Sequence, residues 1–236
     1  MTLSEAVARL RTRCEVDLEA EVDLANNVVA TDEIVRAAKQ VSRDTFFLFS
    51  HNAALSLSAN DQQFDLLSSS KCVPQIFRVD GLYINGSWLT RVSPRYFLDN
   101  FTDYLTASAT ATPAFFMVKD QYRVVLPAPI TSAGANATNY ARGWQLHTTY
   151  TWDVHQETEL LGPDEYHELI VDRAALNVTK SYVAGQEALQ RRAVIEGDYL
   201  EKSKAYRAGN LADFKPAVRN AGAGNVRRYF GPGYGD

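Results

Sequence analysis

Two hydrophobic periods divide this chain, and the switch between them limits what it can fold into. At both ends apolar residues recur near the 3.6-residue spacing of an amphipathic helix, whereas from about residue 53 they recur every second residue, the spacing of a strand. The first helix is expected from Thr2, whose hydroxyl can cap while Glu5 reaches back, with Leu3, Val7, Leu10 and Cys14 on one stripe. Residues 15–30 are acidic and carry an Asn26-Asn27 turn signal. Thr31 or Asp32 should open a second helix through Ile34, Ala38, Val41 and Thr45 towards Phe49, pairing with the first as an antiparallel hairpin.

In the middle, Ala54–Ser58 alternates, Asn60-Asp61 turns and Phe64–Leu66 returns, which predicts a hairpin over 53–67. A second hairpin is expected through Ile76–Val79 with a turn at Asp80-Gly81, and a third joins Leu82–Ile84 to Trp88–Thr90 through Asn85-Gly86. Ser93-Pro94 caps a short helix with Tyr96, Phe97, Phe101 and Tyr104 on its apolar side. Residues 106–112 (TASATAT) read as a mobile linker. Strands follow at Ala114–Lys119 and Tyr122–Leu126, the second ended by Pro127 and Pro129, which cannot donate to a ladder. Residues 131–139 read as loop. Residues 144–154 alternate as a long strand, with Trp144, Leu146, Thr148, Tyr150, Trp152 and Val154 on one face.

Gly162-Pro163 starts a third long helix lined by Tyr166, Leu169, Ile170, Ala174, Val178 and Tyr182 and ended by Gly185. A fourth, over about 186–208, places Leu189, Ile195, Tyr199 and Tyr206 on one side, with Glu187–Arg191 and Asp198–Lys202 as i,i+4 pairs. Tyr166, Ile170, Ile195, Tyr199 and Tyr206 are candidates for core or inter-subunit packing. After Gly209 the pattern dissolves into a Gly-rich tail that cannot build its own core. Its Phe214, Arg219, Arg227, Arg228, Tyr229, Phe230 and Tyr234 suit an arm that orders on a partner.

Chemistry is scarce. His167-Glu168 begins like HExxH, but Val171 stands where the second ligand belongs, so a solvated histidine is expected there. His155-x-Glu157 has no PCxxC after it, and Gly222–Arg227 departs from GxGxxG at its sixth residue. His51 and His147 stand singly, and Trp88, Trp144 and Trp152 are expected to fill a sheet core. A stacking face for single-stranded nucleic acid would need interleaved Lys or Arg, which 144–154 lacks. Asp153, Glu157 and Glu159, with His155, leave a small metal-assisted hydrolase as the weakest alternative. No cofactor, metal or catalytic residue is expected. The lone Cys14 and Cys72 fit a reducing compartment, and no apolar run is long enough for a signal peptide or a bilayer span, so no membrane partner is expected. Net charge is −4, without a basic footprint for sequence-specific DNA binding, yet the charge is polarised. Residues 1–35 carry three basic side chains against eight acidic, and residues 180–236 ten basic against six acidic.

The order of elements, with PAFFMVKDQYRVVLPAP and LLGPDEYHELIVDRAA, resembles the head-to-tail adaptor (connector) proteins of tailed bacteriophages, podovirus-type, over roughly residues 1–208. The resemblance implies an α+β fold. An antiparallel-type helix bundle, with two N-terminal helices in 1–52 and two C-terminal helices in 161–208, would carry an inserted β-rich domain (53–160) and an extended C-terminal arm (209–236). It further implies a structural virion protein of the neck, assembled in the host cytoplasm. There a homo-oligomeric ring, a dodecamer, would join portal protein to tail nozzle or fibre proteins and let double-stranded DNA pass without sequence-specific binding. In such a ring the acidic N-terminal region and basic C-terminal helix could meet across subunits. Another tail or fibre-attachment protein is the alternative.

Overall fold

The computed structural model describes residues 1–14, 24, 26–182 and 186–212. The chain divides into two compact units: the first takes in the described residues within 1–49 and 146–212, and the second those within 50–145. The fold is mixed α+β.

In the first unit, α1 (Leu3–Cys14), α2 (Asn27–Thr45), α6 (Asp164–Tyr182) and α7 (Gln186–Ala212) share one apolar core, with a single turn, α5 (Trp152–His155), beside them. The capping box at Thr2 forms: Glu5 N–H donates to Thr2 Oγ1 (3.2 Å) and Thr2 N–H to Glu5 Oε2 (2.9 Å). Leu3 and Ser4 give their N–H groups to Thr158 and Gln156 carbonyls (3.0 and 2.9 Å), so donors that a helix start leaves orphaned are satisfied. Leu3, Val7, Leu10 and Cys14 are all buried. The second helix starts earlier than Thr31. Asn26 is its N-cap, accepting from Val28 N–H at 2.9 Å, because an Asn side chain that signals a turn serves equally as a cap. It stops at Thr45 rather than Phe49, where Phe46 turns left-handed at φ 56°.

In the second unit the five-stranded sheet runs in the order β3 (Cys72–Val73), β1 (Phe49–Leu55), β9 (Tyr140–Gln145), β4 (Ile76–Ile84), β5 (Ser87–Trp88). A four-stranded sheet runs β2 (Gln63–Asp65), β8 (Arg123–Val125), β7 (Phe115–Val118), β6 (Thr90–Val92). The registered pairs are antiparallel except β6–β7, which is parallel. Both sheets feed one core: Leu55, Ile76, Leu82 and Ile84 from one, Phe64, Phe116 and Val124 from the other. The alternate residues Met117 and Val125 turn away to pack on Phe97 of α3 (Pro94–Asn100), capped by Ser93 with Pro94 in its first turn. Asn85-Gly86 closes β4 onto β5 with φ 46° and 84°, as a two-residue hairpin demands.

Several sequence expectations are corrected here. The 53–67 hairpin does not form, because β1 pairs with β3 and β2 with β8 in the other sheet. Asp80-Gly81 is no turn: β4 runs through it, and an irregularity in register against β9 absorbs the two residues. Residues 106–112 are tied down by Thr110, which donates to Pro129 O (2.9 Å) and accepts from Thr131 N–H (3.0 Å). Residues 131–139 contain α4 (Ser132–Asn136), capped by Thr131. The long strand over 144–154 ends at Gln145, and the rest passes through extended chain into α5. The expected face does not hold together: Trp144 and Leu146 are buried, Tyr150 and Trp152 join the helical core, and Thr148 and Val154 are exposed. Of the tryptophans, Trp144 is buried, whereas Trp88 is 40% exposed. Gly185 lies outside the described residues, as do the side chains of Tyr182, Glu187 and Arg191. α7 continues past Gly209 to Ala212.

Candidate functional site

α7 packs one side on the helical core and leaves apolar side chains exposed on the other. Its inward side is set by Ile195, Tyr199 and Tyr206, spaced four and seven residues apart and thus on one stripe. Leu189, six residues before Ile195, falls elsewhere on the helix and is 52% exposed, contrary to expectation. Tyr166, Ile170 and Tyr199 are buried in the core of the helical unit, and Ile195 and Tyr206 pack partly buried against it.

Two polar anchors hold α7 down. Tyr199, 1% exposed, donates its hydroxyl to Asp44 Oδ2 at 2.5 Å. Burial, then the bond to Asp44 and its charge, drive the phenol's pKa far above its ordinary value, so this proton stays on the ring oxygen. The guanidinium of Arg173 lies 5.2 Å from the Tyr199 ring centroid. Further along, Asn210 Nδ2 donates to Thr45 O and to Tyr166 Oη, both at 2.8 Å, and so caps a carbonyl that α2 leaves without a helical partner. Phe47 stacks on Tyr166 at 4.3 Å and 13°, and Tyr206 meets the same ring at 4.8 Å. The sequence pattern suggested Tyr199 and Tyr206 but missed Asp44 and Asn210. Asn210 stands past Gly209, where helical reading stopped.

The opposite side of α7 carries Leu189, Val194 and Leu200 at 52%, 64% and 46% exposure. Beside it, Arg173, Leu176, Asn177, Arg192 and Glu196 line a shallow cleft between α6 and α7.

His51 is exposed on β1, whereas His147, His155 and His167 occupy structural places. His167 is not solvated: it is buried, with Nε2 at 3.0 Å from Leu160 O and Nδ1 at 3.1 Å from Asp164. Glu168 pairs with Arg9 and Arg13, and Arg13 also pairs with Asp172. His147 is buried with a carbonyl facing each nitrogen, Thr148 O at 3.3 Å and Leu161 O at 3.2 Å, and burial lowers its pKa. His155 Nδ1 accepts from Thr151 N–H (3.1 Å), while Asp153, Glu157 and Glu159 are exposed. Among the described residues no group of three His, Cys, Asp or Glu side chains could hold a metal ion. No helix among them is long and apolar enough to cross a membrane.

In the sheet unit, Arg142 lies 5.1 Å from the Trp88 ring and Arg78 5.1 Å from that of Trp144, with Tyr83 edge-on to Trp88 at 5.4 Å. Arg142 also pairs with Asp80 through Nε (2.8 Å) and Nη2 (2.6 Å). Arginine and aromatic groups thus interleave across neighbouring strands, which reading residues 144–154 alone could not reveal. Phe214, Arg219, Arg227, Arg228, Tyr229, Phe230 and Tyr234 lie outside the described residues.

Compared with known proteins, residues 1–221 match the model of one family, described as SU10 adaptor protein. No curated protein matches the chain.

Proposed function

From membership of the SU10 adaptor protein family, which makes this chain a structural adaptor of the bacteriophage virion, we propose that it forms a homo-oligomeric ring, a dodecamer, between portal protein and tail. The match over residues 1–221 carries this reading. Double-stranded DNA leaves through the ring, and a net charge of −4 supports passage without tight phosphate contacts. The helices of the first unit act as an antiparallel bundle, and the β-rich unit, turned towards tail nozzle or fibre proteins, favours the podovirus-type arrangement.

The tail beyond α7 is the portal-binding arm, through Phe214, Arg219, Arg227, Arg228, Tyr229, Phe230 and Tyr234. Aromatic and arginine side chains supply most hot-spot energy in protein interfaces, which supports that choice. The test is a chain ended after Ala212 rather than at Gly209, because Asn210 belongs to the fold. It should keep the circular dichroism and melting of the full chain, form no rings on portal in electron micrographs, and fail to co-sediment with it. Normal docking by the shortened chain refutes the arm.

A further inference from the structure

We propose that the cleft between α6 and α7 is a carboxylate-binding seat, and that its occupant is the acidic segment 15–23 of a second copy of this chain. The proposal rests on the ring reading, since it names what meets at one subunit boundary. The cleft places Arg173 and Arg192 against a single carboxylate, Glu196. Arg173 is held in position: its Nε donates to Gln40 Oε1 at 2.9 Å and its Cζ lies 5.2 Å from the Tyr199 ring centroid. Asn177 donates to the same Gln40 oxygen at 2.9 Å, fixing the wall beside it. Among the described residues the terminal nitrogens of Arg173 have no hydrogen-bond partner, and Arg192 meets Glu196 only at 4.0 Å. The Arg173 guanidinium, already held by Gln40 and Tyr199, takes a carboxylate at little ordering cost, and Arg192 lines the same cleft to add a second positive charge.

Glu15, Asp17, Glu19, Glu21 and Asp23 alternate with Val16, Leu18, Ala20 and Val22, and no basic residue interrupts them. Laid out as an extended chain, that pattern puts five carboxylates on one side and the apolar residues on the other. The seat is divided in the same way. Leu189, Ala193 and Leu200 are exposed on α7, and they stand three or four residues from Arg192 and Glu196 along the helix.

A fluorescent peptide of residues 15–24 titrated into the full chain tests the seat by anisotropy. Saturable binding is expected, falling about tenfold or more when its five acids become amides. It should fall as far with Arg192→Glu, and further as salt rises. The amide peptide needs no folding control. Absent binding, or equal binding by the amide peptide, overturns the proposal. Binding that appears only after the chain's own segment is neutralised overturns the second-copy assignment, because that segment then occupies its own cleft. Ring formation with portal is imaged separately: rings without peptide binding sink the seat alone, and peptide binding without rings sinks the ring.

Discussion

Replacing Tyr199 by Phe removes one oxygen from the buried side of α7 and leaves the ring in place. The lost contact is a hydrogen bond to an ionised carboxylate at 2.5 Å. Bonds to charged groups contribute about 1.5–3 kcal/mol. Asp44 is only half-buried, so water can take over part of the role, and about 2 kcal/mol is the expected loss. For a protein of this size that lowers Tm by roughly 4–8 °C. Tyr199→Ala also empties the ring's volume and frees Arg173, so its cost should reach about 3–5 kcal/mol. Chemical denaturation of Tyr199→Phe, Asp44→Ala and the double variant, read by far-ultraviolet circular dichroism, closes a mutant cycle, since Asp44→Ala leaves no acceptor for the hydroxyl. A coupling energy under about 0.5 kcal/mol would refute the claim that this bond fastens α7.

Gly162 sits at φ 104° with the Phe47 ring where a β-carbon would go, so Gly162→Ala should cost about 2 kcal/mol or more in a thermal melt. Thr2→Ala breaks the capping box and should cost about 1 kcal/mol in the same assay. His147 has a folded pKa below its unfolded value because burial disfavours the imidazolium. The unfolded chain therefore binds more protons as pH falls below about 6.5, and stability should drop on going from neutral to mildly acid solution. His147→Gln should flatten Tm against pH there; an unchanged slope would assign the loss to other groups.

Local signals that act within one turn could be read without the fold. The Thr2 capping box, the Ser93-Pro94 start, the Asn85-Gly86 hairpin and the Gly162-Pro163 entry to α6 each rest on bonds or backbone angles within a few residues, so nothing distant overrules them. The adaptor resemblance was also legible, because it lay in the order of elements. Partnership between strands was not. Phe64 leaves the neighbourhood of Ala54 to pair with Val124, since both sheets must bury their apolar faces in a common core. The alternation over 144–154 did not mark a strand face either: beyond Gln145 the chain leaves the ladder, so Thr148 and Val154 are exposed while His147, from the other side of the pattern, is buried. Only tertiary packing supplies the polar anchors of α7's inward side, where Tyr199 finds Asp44 and Asn210 finds Thr45 across 155 and 165 residues of chain. Helical spacing picks out Ile195, Tyr199 and Tyr206 as the inward stripe, but it names neither Asp44 nor Thr45, because those partners come from a helix more than 150 residues away in the chain.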